Sequence, residues 1–493
     1  MEGYQSISSL AVSNTLIDTV IFDLGDVLFT WSDSTPQSPL PPKVVKGILR
    51  SSTWFEYEKG KFTEQEAYDQ VATDFGVSAS EVKGAFRAAR ESLQSDRKLL
   101  DFIRTLKESG MKIYGMSNIS APDWEFMQTR ADLSDWALFD RVFASALAGE
   151  RKPNLGFYNH VIKETGLDAT KTAFVDDKIE NVLTARSTGM QGIVFTNASD
   201  VIRQLRNLRE DPIQRANQFL QDNKRKMLTV SSPDGVPVEE NFSQLLILEL
   251  TGDGTLVDYV KYEGRFNFFK GEGKLIMTTT FPDDLDTTSI GLTIAPYIKD
   301  DIRHQVMDEM LNYVNDDGII QTYFDHTRPR IDPVVCCNVL TLFYRNGRGH
   351  ELGKTLEWIE TVLIHSACSY GSLYYASEDQ FLFFLSRLLQ SSTRVYQRLG
   401  HIFAQSVANR FGTEADPLGL AMRIYAGAVV GLVASVDLER LLTMQHEDGS
   451  WKGGVYYRFP TASQVACNDG MTTALAIQAI ESAKKLKRQG LGI

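Results

Sequence analysis

The residues best suited to chemistry lie in Pro282-Asp283-Asp284-Leu285-Asp286-Thr287-Thr288-Ser289, an acidic cluster running into hydroxyl side chains. Two carboxyl groups in one apolar pocket cannot both ionise cheaply. Burial and like-charge repulsion keep one of them protonated near neutral pH. A neutral buried carboxylic acid is a proton donor, strong enough in principle to protonate an alkene where water is excluded. The same string also suits an acidic turn that caps a helix.

A second constellation is spread over the first two hundred residues. Asp23 follows the β-branched and aromatic run Thr19 to Phe22, and Ser117-Asn118 follow a strand pattern over Lys112 to Met116. Arg151-Lys152-Pro153 open a helical pattern over Leu155 to Thr165, and Asp176-Asp177 follow Thr172 to Val175. Further strand patterns cover Arg141 to Ala144 and Gly192 to Phe195, with a helix over Lys98 to Ser109. Strands alternating with helices predict parallel βαβ units in an α/β, doubly wound sheet, whose chemistry sits at the carboxyl ends of the strands.

The order Asp, Ser, Lys, Asp-Asp resembles the four motifs of the haloacid dehalogenase superfamily, over about residues 17 to 205. Residues 31 to 95, rich in helical pattern, resemble its helical cap. The resemblance implies phosphoryl transfer through an aspartyl-phosphate. Asp23 is then the nucleophile, Ser117 and Lys152 hold the phosphoryl oxygens, and Asn118 contacts the substrate. Asp23, Asp176, Asp177 and the carbonyl of Gly25 are the implied Mg²⁺ ligands. One departure matters. Family phosphatases carry an acidic general acid two positions after the nucleophile, where this chain has Gly25. Asp26 comes one residue later, on the opposite side of an extended chain. Loss of a general acid costs about 10²–10⁴-fold. Attack on a diphosphate, whose leaving group is a stable anion, should survive that loss better than hydrolysis of a monoester.

From Ile213 onward helical patterns follow one another: Gln214 to Lys226, Phe242 to Glu249, Asp301 to Val314, Val335 to Arg345, Leu352 to Ile364, Gln380 to Gln390, Val395 to Phe411, Leu418 to Leu432 and Ala474 to Leu486. So many short helices predict an all-α barrel. Asn315-Asp316-Asp317-Gly318 parallels His446-Glu447-Asp448-Gly449, and Gln445 with Gly449 and Trp451 spells Gln-x-x-x-Gly-x-Trp. That string resembles the QW repeat of triterpene cyclases and their relatives. Asp284-x-Asp286-Thr287-Thr288-Ser289 resembles the signature of class II terpene cyclases of the drimane type, which protonate a polyprenyl diphosphate. The resemblance makes Asp286 the proton donor and Asp284 the residue that tunes it. Thr287 and Thr288 stand toward the substrate in place of a third carboxylate. Aromatic side chains would stabilise the carbocations at roughly 0.5–2 kcal/mol each, with Tyr323, Phe324, Tyr374, Tyr375, Phe381, Trp451, Tyr456, Tyr457 and Phe459 available. Arg328 and Arg330 are cations able to grip a diphosphate, although such residues more often form a solvated face. Metal-driven class I chemistry lacks its motifs: Asn468-Asp469-Gly470-Met471 has no later Ser and Glu, and Asp300-Asp301-Ile302-Arg303-His304 has no final Asp.

At 493 residues the chain exceeds one core, and the break is expected near Pro212, giving domains 1–211 and 212–493. A net charge of −12 argues against nucleic-acid binding and leaves an anionic substrate to local cations or Mg²⁺. The four cysteines show no metal spacing, and the start, Met1 to Asn14, does not read as a signal peptide. The longest uncharged apolar run, Ile424 to Val436, is too short to span a bilayer, so a cytoplasmic protein without stable membrane insertion is expected. Length, domain order and motifs together resemble the drimane sesquiterpene synthases. That family implies cyclisation of farnesyl diphosphate, then phosphate removal to drimenol or albicanol. Two alternatives stand beside it: a cyclase braced by an inactive phosphatase-like domain, and a prenyl-phosphate phosphatase with a ligand-binding helical domain.

Overall fold

The computed structural model describes residues 16–30, 37–130, 136–271, 281–459 and 464–489, which divide into two compact units meeting in sequence at Glu210 and Asp211. The polar start Met1 to Asn14, and residues 31–36 of the expected cap, lie outside the described residues.

The first unit is built on five parallel strands: β1 (Thr19–Phe22), β2 (Lys112–Ser117), β3 (Arg141–Ala144), β4 (Thr172–Asp176) and β5 (Gln191–Val194), in the order β3-β2-β1-β4-β5. Alternation along β1 sends Val20 and Phe22 into one apolar cluster and Ile21 into the other, so both faces of the sheet are covered. The cap is a separate apolar cluster under helices α1 (Pro42–Leu49), α2 (Ser52–Glu58), α3 (Glu64–Phe75) and α4 (Ala79–Glu91). Trp54 stacks on Phe86 at 4.1 Å in its centre. Thr63 and Ser78 start α3 and α4 with capping boxes to Glu66 and Glu81.

In the second unit six helices form a closed inner ring: α5 (Phe242–Thr251), α6 (Leu285–Ile294), α7 (Pro333–Arg345), α8 (Glu378–Ser391), α9 (Pro417–Val429) and α10 (Asp469–Arg488). Each packs on the next and the last on the first. Helices Gly353–Ile364, Thr393–Arg410 and Ser435–Thr443 back them from outside. In α7 and α8 the buried positions run almost unbroken, as expected of a helix enclosed on every side. The QW string clamps this ring. Gln445 donates Nε2 to the carbonyls of Pro212 and Gly449, both at 2.9 Å, and fully buried Trp451 donates Nε1 to Leu441 O at 2.7 Å.

The two similar segments share one turn. Asn315 N donates to Ile319 O at 2.9 Å and Gly318 N to Asn315 O at 2.9 Å; His446 N to Ser450 O and Gly449 N to His446 O repeat this at 2.8 and 3.0 Å. Gly318 and Gly449 take φ of 81° and 90°, which requires glycine.

Two features depart from expectation. The helices over 285–294 and 435–443 had no recognised pattern. A four-stranded antiparallel sheet also pairs β6 (Thr229–Ser232), β7 (Pro237–Val238), β8 (Val455–Arg458) and β9 (Val465–Cys467) in the order β8-β9-β6-β7, within a region read as helical. Strands of two to four residues are too short to show alternation, and these come from opposite ends of the unit.

Candidate active sites

The carboxyl ends of β1, β2 and β4 bring the constellation of the first unit together. Lys152 Nζ, 1% exposed, lies 2.9 Å from Asp23 Oδ1 and 2.6 Å from Asp176 Oδ2. Asp23 Oδ1 also accepts the Leu24 amide at 2.7 Å. Asp176 Oδ1 accepts from Lys178 N and Asn181 Nδ2, both at 2.9 Å. Burial pushes the Asp23 carboxyl up to about 7 against the pull of Lys152. Burial acts on Asp176 too, but Lys152 and those two donors outweigh it and hold Asp176 below its usual range.

Oxygens of Asp23, Asp176 and Asp177 lie within 4.8 Å of one another, and Asp177 Oδ1 is buried without a hydrogen-bond partner. Three hard oxygen donors, one of them unsatisfied, suit a divalent cation such as Mg²⁺. Ser117 is buried at the end of β2. Asn118 spends its amide on the backbone of Lys152, donating to Lys152 O at 2.8 Å and accepting Lys152 N at 2.7 Å, which places the lysine. The chain past Gly25 is not extended. Asp26 is left-handed (φ 59°) and exposed, and it adds to the rise that burial and Asp176 impose on the Asp177 carboxyl, so alternation along a strand does not carry it away from the site.

The acidic motif of the second unit sits at the start of α6. Asp284 is its N-cap, accepting the Thr287 amide at 2.5 Å on Oδ1, while its buried Oδ2 has no partner. The helix-capping use of this string is therefore real and coexists with the site. Asp286, 6% exposed, accepts from Asn338 Nδ2 at 2.6 Å on Oδ1 and from the Tyr375 hydroxyl on Oδ2. Burial raises Asp286 to about 6 against the pull of these two donors. Burial, reinforced by Asp286, holds Asp284 well above the carboxylate range.

Thr287 Oγ1 is buried without a partner, whereas Thr288 Oγ1 donates to Phe266 O at 3.1 Å and accepts Phe266 N at 2.9 Å. Aromatic rings pack around Tyr375, which touches the acid. Tyr375 lies 5.5 Å from Phe384 and 6.3 Å from Tyr457, and Tyr457 stacks on Tyr374 at 5.6 Å. Arg330 Nη1 donates to Tyr374 Oη at 3.2 Å, while Arg328 pairs with Asp325 at 3.3 Å.

Sequence reasoning missed Asn338, Arg387 and Asp332. Asp332 caps α7 with Oδ1 and keeps its buried Oδ2 without a partner. Polar residues inside apolar helices, such as Asn338 in Val-Val-Cys-Cys-Asn-Val-Leu, were the available signal.

A capped five-stranded sheet with an Asp-Ser-Lys-Asp-Asp centre, followed by a helical barrel around a buried carboxyl pair, defines a two-unit enzyme of the phosphatase–terpene cyclase class. A haloacid dehalogenase-like hydrolase model matches residues 17–189, and a sesquiterpene cyclase astC-like C-terminal domain model matches 213–346. The chain is 41% identical to drimenol cyclase drtB of Aspergillus calidoustus over 97% of this chain and 90% of that protein, and it belongs to that family. Its first unit is 40% identical to sesquiterpene phosphatase astK of Aspergillus oryzae, over 39% of this chain and 97% of that protein. It is also 27% identical to flavin mononucleotide hydrolase 1 of Arabidopsis thaliana, over 38% of this chain and 76% of that protein. Among the described residues no helix is long and apolar enough to cross a membrane.

Proposed function

We propose that the chain is a bifunctional sesquiterpene synthase that cyclises farnesyl diphosphate to a drimane-type bicyclic diphosphate and then removes phosphate. One observation carries the first half: both oxygens of buried Asp286 are met by donors, Asn338 and Tyr375. The acid that can give up a proton is the one whose conjugate base is held. Asp284 has one backbone donor and one orphaned oxygen, so its carboxyl stays neutral and adds no charge to hold back the proton of Asp286. Asp286 gives its proton to the terminal alkene. Two carbon–carbon bonds close as the cation moves along the chain, and loss of a proton from carbon ends the reaction with the diphosphate ester intact. The tyrosine and phenylalanine faces exclude water and stabilise the cations.

In the first unit Asp23 attacks the terminal phosphorus, the remaining phosphate ester leaves, and water releases the phosphoryl group from Asp23. Lys152 meets the negative charge that grows on the phosphoryl oxygens, and Ser117, at the end of β2, donates its hydroxyl to them. Asp23, Asp176 and Asp177, with the Gly25 carbonyl, would hold Mg²⁺, which neutralises charge on nucleophile and phosphate.

Mass spectrometry of products from farnesyl diphosphate tests the reading with Asp23→Asn and Asp286→Ala. Asp23→Asn should accumulate a bicyclic diphosphate, and Asp286→Ala should release phosphate without ring formation. An uncyclised product from the unaltered protein would refute the cyclase half. A bicyclic diphosphate accumulating from it would refute the phosphatase half.

A further inference from the structure

Behind Asp286 runs a line of polar side chains in which Asn338 touches the acid, while the two beyond it, Arg387 and Glu249, have no part in the cyclisation steps above. Asn338 on α7 donates Nδ2 to Asp286 Oδ1 at 2.6 Å. Arg387 on α8 donates Nη1 to Asn338 Oδ1, and its Nη2 lies 2.7 Å from Glu249 Oε2 on α5. Asn338 is 1% exposed and Arg387 5%. Four of the six inner helices thus contribute to one connected line.

The line has a direction. A guanidinium carries donors only, so the amide of Asn338 must turn its oxygen toward Arg387. Its nitrogen then faces Asp286 and can only donate. The amide therefore donates to Asp286 Oδ1 whether the carboxyl is charged or neutral, and it cannot accept the acid proton. The acid proton, on either oxygen, is thus not held by the amide. Were the amide reversed, its oxygen would accept a proton on Oδ1 and hold it against the protein.

We propose that Asn338, Arg387 and Glu249 are positioning residues that keep the amide facing Asp286 as a donor, so that it holds the carboxylate and never the acid proton, with Glu249 anchoring the guanidinium that sets the amide. The proposal rests on Asp286 being the acid of the cyclase. The titratable and charged groups facing Asp286 are Asp284 before α6, Asp332 before α7, Cys336 on α7, Tyr375 before α8, Arg387 on α8, and Tyr457 on β8. Of these groups, Arg387 is the one that hydrogen-bonds the Asn338 amide among the described residues.

Two substitutions separate this role from simple packing. Asn338→Asp keeps size and the contact with Arg387 but turns an acceptor toward Oδ1. Arg387→Lys keeps a donor-only cation, whereas Arg387→Met does not. Cyclisation of farnesyl diphosphate is followed as kcat and KM across pH 5–9, with circular dichroism to check folding. The expected result is a kcat loss of 100-fold or more in Asn338→Asp with KM within threefold. Arg387→Met should lose at least tenfold in kcat with an altered alkaline limb, and Arg387→Lys should recover most of it. Asn338→Asp within fivefold of the unaltered kcat would overturn the proposal. So would folded Arg387→Lys as impaired as Arg387→Met, and if Arg387→Met does not fold, Asn338→Asp alone decides. Failure of the unaltered protein to cyclise, or full activity in Asp286→Ala, would instead sink the reading beneath it.

Discussion

Tyr375→Phe tests how the acid strength of Asp286 is set. The change removes one hydroxyl and keeps the ring that packs against Phe242 at 6.4 Å, Phe384 at 5.5 Å and Tyr457 at 6.3 Å, so the fold should tolerate it. The lost hydrogen bond stabilises the charged form of Asp286. Such a bond is worth about 1.5–3 kcal/mol. At 1.36 kcal/mol per pKa unit, its removal raises the carboxyl by about one to two units. Asp286 acts only when protonated, so its activity is present below its pKa and lost as pH rises through it. The alkaline limb should therefore move upward from about 6, the value burial sets in the free protein, to about 7–8. A weaker acid also transfers its proton more slowly, so the plateau below the limb should fall by roughly tenfold. Saturating farnesyl diphosphate and an Asp23→Asn background let the bicyclic diphosphate be measured without its removal, and substrate ionisation cancels between the two proteins. A limb that stays in place or moves to lower pH would refute the assignment, as would a plateau that rises.

Gly25 has no atom within 4 Å of the position a Cβ would take, and its backbone does not require glycine, so Gly25→Asp should fold. If the missing general acid limits the second dephosphorylation, that variant should hydrolyse the bicyclic monophosphate faster, by up to about 10²-fold in a phosphate-release assay; no gain, together with a loss in Asp26→Asn, would assign the proton to Asp26 instead. A chelator such as EDTA should abolish phosphate release and leave ring formation within about twofold, because among the described residues the one cluster of three carboxylates is Asp23, Asp176 and Asp177; equal loss of both activities would refute the division of labour. Arg423, fully buried, holds Asp379 through two hydrogen bonds of 3.0 and 2.9 Å and lies 3.3 Å from Asp437. Arg423→Met leaves Asp379 to Arg410 at 2.8 Å and Asp437 to the Gly412 amide at 3.1 Å, so it should cost about 3 kcal/mol by urea denaturation, the low end for breaking a buried pair, with less than about 1 kcal/mol refuting it.

How much of this could be read from the chain depended on the range of the determining forces. The strands ending in Asp23, Ser117 and Asp176 announce themselves through runs of adjacent β-branched and aromatic residues, and Leu155–Thr165 stands where its pattern placed it. The helix that carries Asp286 did not. Its sequence, Leu-Asp-Thr-Thr-Ser-Ile-Gly-Leu-Thr-Ile, is buried on every side over most of its length and has weak helix formers, so neither periodicity nor propensity marks it. Tertiary enclosure and the Asp284 cap make it a helix. Asn338 and Arg387 lie 52 and 101 positions from Asp286, and only closure of the ring makes them neighbours. The motif thus pointed to Asp286, the acid proposed above, but not to the donors around it. A carboxyl in a hydrocarbon wall would be neutral and inert; the donors that hold its anion lower the cost of releasing the proton, and they come from helices that no local pattern links to it.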